Sequence, residues 1–200
     1  MSLLDVSLKK EYRSPRDNIV TDFYIPLLKE AKLYKRSVGF FSSSSLLEIS
    51  YGISNLINNG GKILLIASPN LSDEDIEAIN KGYEIRDNII ERALLQYITE
   101  PQNYFEEERL NLLATLIAQE KLDIKIAFSL KGEKLGLYHE KLGLMYDNEN
   151  NIIAFSGSMN ETENAFVNNY EIVDVFTSWE DKDRVSIKEK SFDQLWNNSD

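Results

Sequence analysis

One histidine occurs in the 200 residues, His139, and it lies two positions before Lys141 in "YHEKLGLMYDNENNIIAFSGSMNET". Downstream in the same stretch come Gly157, Ser158 and Asn160, in a Gly-Ser-x-Asn turn. An imidazole is a nucleophile and a base whose free form is available near neutral pH. Lysine ammonium, serine hydroxyl and asparagine amide are all hydrogen-bond donors. Set around one imidazole, they make a receptor for a tetrahedral oxyanion, and phosphate is the natural candidate. A metal fits poorly. One histidine and no cysteine leave only carboxylates, and the lysine beside the histidine repels a cation. The expected inventory is no metal and no cofactor.

For the donors to meet, the chain must be extended on both sides of a turn. On a strand, residues i and i+2 share a face. His139 and Lys141 then project together, with Gly143 next on that face and carrying no side chain to block access. Leu142, Leu144 and Tyr146 fall on the other face, towards core. The "DNENN" turn sends the chain back along "IIAF", which delivers "SGSMNE" to the same sheet edge. Ser158 and Glu161 have capping-box spacing, so Ser158 reads equally well as a helix cap and as a phosphate donor. Asn160 reads as a donor or as a turn residue.

The remaining elements follow from periodicity. "DNIVTDFYIPLLKEA" is helical in its spacing of Ile19, Phe23 and Leu27, with Pro26 a break or kink. "LYKRSVGFF" predicts a strand at 33–41. In "SSSSLLEISYGISNLINNGG", Leu46, Ile49, Ile53, Leu56 and Ile57 line one helical face, and Asn-Gly-Gly ends the helix. "KILLIAS" is an apolar run of the kind found in buried central strands. A helical insertion is expected around 72–121, with a capping box from Ser72 to Asp75 and a break at Pro101. "LDIKIAFSL" and "YEIVDVFTSW" are further strands, and "KEKSFDQLW" is a closing helix. The order gives an α/β fold, a mixed central β-sheet flanked by helices, in a single domain over 1–200.

Composition narrows the function classes. The absence of cysteine excludes disulfides and thiolate metal sites, and favours a reducing, cytoplasmic setting. No segment reads as a signal peptide or approaches a membrane span. The net charge of −11 has the wrong sign for a non-specific nucleic-acid coat. Basic residues cluster locally at Lys9, Lys10, Arg13 and Arg16, at Lys29, Lys32, Lys35 and Arg36, and at Lys131 and Lys134. They read as solvated surface more readily than as a phosphate track. No G-x-x-x-x-G-K-[ST] phosphate loop is present, so a helicase or ATPase partner region would lie outside these residues.

His139-Glu140-Lys141, then Asp147, then Gly157-Ser158-Met159-Asn160, resembles the half-motif of the phospholipase D superfamily. Asp147 stands one position later than the family spacing, with Tyr146 in the expected place; the family gives that aspartate a largely structural part. "NNYEIVDVF" resembles the family's downstream strand, which implies that Glu171 holds the far nitrogen of the imidazole and fixes its tautomer. "YKRSVGFFSSSSLLEI" with "GGKILLIAS" resembles the opening strand-helix-strand of phospholipase D-like domains. It is similar in particular to those at the N-terminus of bacterial restriction-type helicases, so the chain would stand alone or as the N-terminal part of a longer protein. Arg36 and "FSSSS" would be added phosphate contacts or, in the second case, a plain helix cap.

The resemblance implies a metal-independent phosphodiesterase or nuclease acting on DNA. His139 would attack phosphorus to form a phosphohistidine, while Lys141, Ser158 and Asn160 stabilise the charge on the non-bridging oxygens. The alternatives are a non-catalytic DNA-binding domain that keeps the phosphate pocket and a lipid phosphodiesterase, the latter weakened by the lack of a membrane-binding segment. Family enzymes bring two histidines from two motif copies. This chain has one, which implies a homodimer with both motifs facing the axis, or a second domain elsewhere in a longer protein.

Overall fold

The apolar run after Gly61 is a strand covered on both faces, as its sequence predicts, but it lies sixth of seven in its sheet rather than at the centre. The computed structural model describes residues 2–14, 16–41, 44–68, 112, 116–117, 119–131, 134–160 and 162–199. They form strands β1 (Glu11–Arg13), β2 (Leu33–Val38), β3 (Lys62–Ala67), β4 (Leu122–Ile126), β5 (Phe128–Lys131) and β6 (Lys134–Leu137). Beyond these come β7 (Leu142–Tyr146), β8 (Ile152–Gly157) and β9 (Ile172–Thr177). The helices are α1 (Ile25–Glu30), α2 (Ser44–Glu48), α3 (Ser50–Asn58), α4 (Glu163–Val167) and α5 (Lys182–Trp196).

Seven strands make one mixed sheet in the order β1-β9-β8-β7-β2-β3-β4. β2, β3 and β4 are parallel, whereas β2-β7, β7-β8, β8-β9 and β9-β1 are antiparallel. The C-terminal ends of β2, β3 and β8 and the N-terminal ends of β7 and β9 therefore share one end of the sheet.

Each face has its own core. Tyr34, Leu65, Met145, Ile153 and Phe155 pack with Phe23, Tyr24, Leu27 and Leu28 on one side, joined by Ile53 and Leu56 of α3. On the other, Leu64, Ile66, Leu142, Leu144 and Ala154 meet Val185 and Phe192 of α5. Lys35 also lies on this side, 8% exposed. Its ammonium meets Asp193 at 2.6 Å between the rings of Tyr146 and Phe192.

Several local expectations are corrected. Residues Val20–Tyr24 form a π-helical turn that runs directly into α1, with Pro26 in the first turn of the α-helix. Proline lacks an N–H, so the wider turn is placed where the ladder is interrupted in any case. The single helix expected over 42–61 is two, α2 and α3, divided at Ile49. "LDIKIAFSL" is two strands: after Ala127 the chain leaves the sheet, and β5 pairs with β6 instead. The closing helix starts earlier than expected, at Lys182. Lys35 and Arg36 are buried rather than solvated. Most of the helical insertion at 72–121, with its capping box and Pro101, lies outside the described residues. Among the described residues, no helix is long and apolar enough to cross a membrane.

Candidate active site

The sequence elements that carry candidate chemistry converge at that shared sheet end: the turn after β2, the segment before β7, the turn after β8 and the residue before β9. His139 and Lys141 are not on a strand. Pairing of β7 with β2 begins at Leu142 opposite Ser37, and β2 ends one residue later. With no ladder partner, 138–141 is a loop, yet alternation persists. Glu140 turns to Ser37, whose hydroxyl donates to it at 3.2 Å, and also accepts from the Tyr138 phenol. His139 turns the other way, exposed, and Lys141 Nζ lies 3.0 Å from each of its ring nitrogens. The same ammonium donates to the His139 carbonyl at 3.1 Å.

The floor beneath the imidazole is glycine. A Cβ on Gly39 would stand 2.7 Å from His139 Cδ2, closer than side-chain carbons pack. Phe40 meets the ring edge-on with centroids 6.1 Å apart. Its backbone N–H donates to Asn160 Oδ1 at 3.1 Å, tying the turn after β8 to the turn after β2. Gly39 and Phe40 were not singled out by sequence reading. The only signal was a glycine closing an apolar strand in "SVGFF". Gly143, expected to keep access open, does something else: a Cβ there would fall 2.0 Å from Phe155 Cζ, so its bareness seats that ring in the core.

Ser158 is not a helix cap. Its hydroxyl donates to the Glu171 carboxylate and accepts the Ile172 N–H at 3.1 Å. Helix α4 begins further on, where Thr162 Oγ1 accepts the Ala165 N–H at 3.2 Å. Gly157 permits the close approach of β8 and β9, since a Cβ would lie 1.9 Å from the Ile172 carbonyl oxygen. Glu171 is buried at 6% exposure. It also accepts from Asn169 Nδ2 at 3.2 Å, and its N–H donates to Ser14 Oγ at 2.9 Å. The direct Glu171–His139 hydrogen bond implied by the resemblance is not formed in this structure. Glu171 reaches Ser158, and both ring nitrogens face Lys141.

Arg36 is a buried cation under the site, 1% exposed. It donates to the Met159 carbonyl at 2.5 Å and lies over the Phe155 ring. The Lys141 ammonium is held below the ordinary lysine value by burial first and by the charge of Arg36 second, with Glu171 opposing. The charge of Arg36 felt at Lys141 has the sign that favours an anion there.

Asp147 is at the other end of the β7-β8 hairpin. It accepts from Ser2 Oγ at 2.5 Å, from the N–H groups of Leu3, Glu149 and Asn151 at 3.0, 2.8 and 2.9 Å, and from Asn151 Nδ2 at 2.8 Å. Burial pushes its carboxyl upward, but the Ser2, Asn151 and Leu3 donors outweigh it and hold it down at about 2. It fixes the hairpin turn and the N-terminal segment, and it touches none of the candidate phosphate donors.

A family model described as "Cardiolipin synthase, PLD-like domain" matches residues 28–196. No curated protein matches the chain. Among solved structures, NucT from Helicobacter pylori superposes with a TM-score of 0.57 at 17% identity, covering 94% of each chain. Nuc from Salmonella typhimurium, a phospholipase D family member, gives 0.53 at 13% identity, over 94% of this chain and 92% of that one. Polyphosphate kinase from Porphyromonas gingivalis gives 0.54 at 13% identity, over 94% of this chain but 26% of its own. These likenesses establish a shared fold.

Proposed function

The chain belongs to the phospholipase D-like domain family, and from that premise we propose that it is a metal-independent phosphodiesterase that cleaves DNA. The observation that carries the reading is the exposed imidazole of His139 with Lys141 Nζ 3.0 Å from its ring nitrogens. A ring nitrogen attacks phosphorus, the bond to the leaving oxygen breaks, and a phosphohistidine forms. Lys141 and the Asn160 amide stabilise the charge on the non-bridging oxygens, above the buried charge of Arg36. Ser158 is engaged with Glu171, so it joins them only by exchanging that partner for phosphate. Water then attacks the phosphohistidine and frees the imidazole.

The leaving alkoxide needs a proton from an acid other than His139. The sequence holds no second histidine. We assign the acid to His139 of a second identical chain, in a two-fold dimer with both sites facing the axis. The choice of DNA rests on the sequence resemblance to domains of restriction-type helicases, and any ATP-driven motor belongs to residues beyond these. A lipid phosphodiester is the second reading, favoured by the description of the matching family model.

The deciding experiment incubates the protein in EDTA with plasmid, single-stranded oligonucleotide and phosphatidylglycerol vesicles. Cleavage of nucleic acid that survives chelation and disappears in His139→Ala supports the proposal. Turnover of lipid alone transfers the site to the second reading. DNA binding without turnover makes the domain a binding module. Mixed wild-type and His139→Ala dimers should be dead rather than half active, and a cleaving monomer by light scattering would remove the dimer.

A further inference from the structure

Beside the phosphate-binding end of the sheet, a cavity of about 600 Å³ opens between the turn after β1, the π-helical turn, α2 and α4. Phe166 forms part of its floor and is buried, whereas Tyr170 and Val167 on its rim are 68% and 60% exposed. The amides of Asn18 and Asn169 and the carboxylate of Glu48 also line it. Among the described residues, no lysine or arginine does.

That chemistry is unlike the site next door. Among the lining residues a phosphate finds the carboxylates of Asp17 and Glu48, and Lys9 and Arg16 behind them are already paired with Asp17. A flat, uncharged group with apolar faces and a hydrogen-bonding edge does fit. The Tyr170 ring offers a stacking surface, and amides with a carboxylate match the donors and acceptors of a base edge.

The cavity also adjoins the site. Ser14 and Asn169 line it and at the same time hold Glu171, through bonds of 2.9 and 3.2 Å. Glu171 in turn holds the Ser158 hydroxyl. One residue thus separates the cavity wall from the proposed phosphate donors. We infer that the cavity takes an unpaired nucleobase adjacent to the scissile phosphate, with Tyr170 as its stacking platform. The inference rests on the DNA phosphodiesterase reading. It adds a preference for single-stranded or locally unpaired substrate, because a paired base must first be unpaired and unstacked to enter.

Fluorescence anisotropy on a labelled single-stranded oligonucleotide and on an abasic strand of equal length tests it without relying on turnover. The wild-type protein should favour the base-bearing strand by about tenfold, within what stacking on one aromatic is worth. Tyr170→Ala should lose that preference at an unchanged melting temperature. Tyr170→Phe should keep it, since the ring stays and only the phenol hydroxyl is lost. Equal wild-type affinity for both strands, or a full preference surviving in Tyr170→Ala, overturns the inference. The same wild-type preparation is assayed on bis(p-nitrophenyl) phosphate, which carries no base. Turnover there alongside absent base preference removes only the cavity assignment. No turnover removes the catalytic reading instead, whatever the strands show.

Discussion

The two ends of the β7-β8 hairpin carry parts of one sequence motif and do opposite work. At one end lie Lys141 and Ser158, at the other Asp147 and Asn151, roughly 20 Å away at the rise of a strand. The Asp147 carboxylate has five donors from its own chain, and its pKa is driven down to about 2. At the opposite end His139 is exposed, with one ammonium as its hydrogen-bonding neighbour among the described residues. A fully satisfied polar group rigidifies a fold. A site for an external anion must instead hold donors in reserve. On the proposed function, the motif residues divide between those two requirements.

Substitutions at the two ends should therefore separate activity from stability. His139→Ala should abolish turnover, by more than about four powers of ten, with the melting temperature unchanged. Gly39→Ala follows. Its Cβ must displace the imidazole it would meet at 2.7 Å, and a misplacement of about 1 Å can cost on the order of 100-fold. A Gly39→Ala protein as fast as wild type would mean the ring is not held where it reacts.

Glu171→Gln should lower the rate about ten- to 100-fold, the scale found for residues that orient a reacting group. It should also move the alkaline limb of the pH–rate profile. Glu171 opposes the depression of Lys141, so without it the ammonium deprotonates at lower pH and activity falls sooner as pH rises. An unmoved limb would leave Glu171 a purely packing role.

Asp147→Asn should act on the other side of the comparison. It should cost about 2 kcal/mol of stability near neutral pH and leave the rate per folded molecule intact. The sign follows from a folded pKa of about 2, below the ordinary carboxylate value of about 3.9. The wild-type contribution is present above the unfolded value and is lost as pH falls through the folded one. Between about pH 4 and 2, chemical denaturation should show the wild-type advantage over Asp147→Asn shrinking. Loss of activity without loss of stability would place Asp147 in the chemistry instead.

What the sequence discloses follows the range of the interaction. β3 and the apolar face of α3 are written in local periodicity, and the structure contains them. The candidate site residues are nominated by a compact motif, and the sheet register brings the segments that carry them to one end. Ser158 misleads because Ser-x-x-Glu is a local cap signal, while its hydroxyl is claimed by Glu171, thirteen positions on. The work of Gly39 and Gly143 is hidden for the same reason. Each leaves room for a ring carried by a distant strand or loop, His139 in one case and Phe155 in the other. The strand expected through His139 stops short because β2 ends, which is a property of the neighbour and not of "YHEK".

The central claim is that His139 itself bonds to phosphorus. Cleavage of a phosphorothioate diester of one configuration in ¹⁸O-water, with the stereochemistry of the product read at phosphorus, tests it most directly. Two in-line displacements through a phosphohistidine predict net retention. Inversion would mean that water attacks the diester in a single step, and His139 would then be a base rather than the nucleophile.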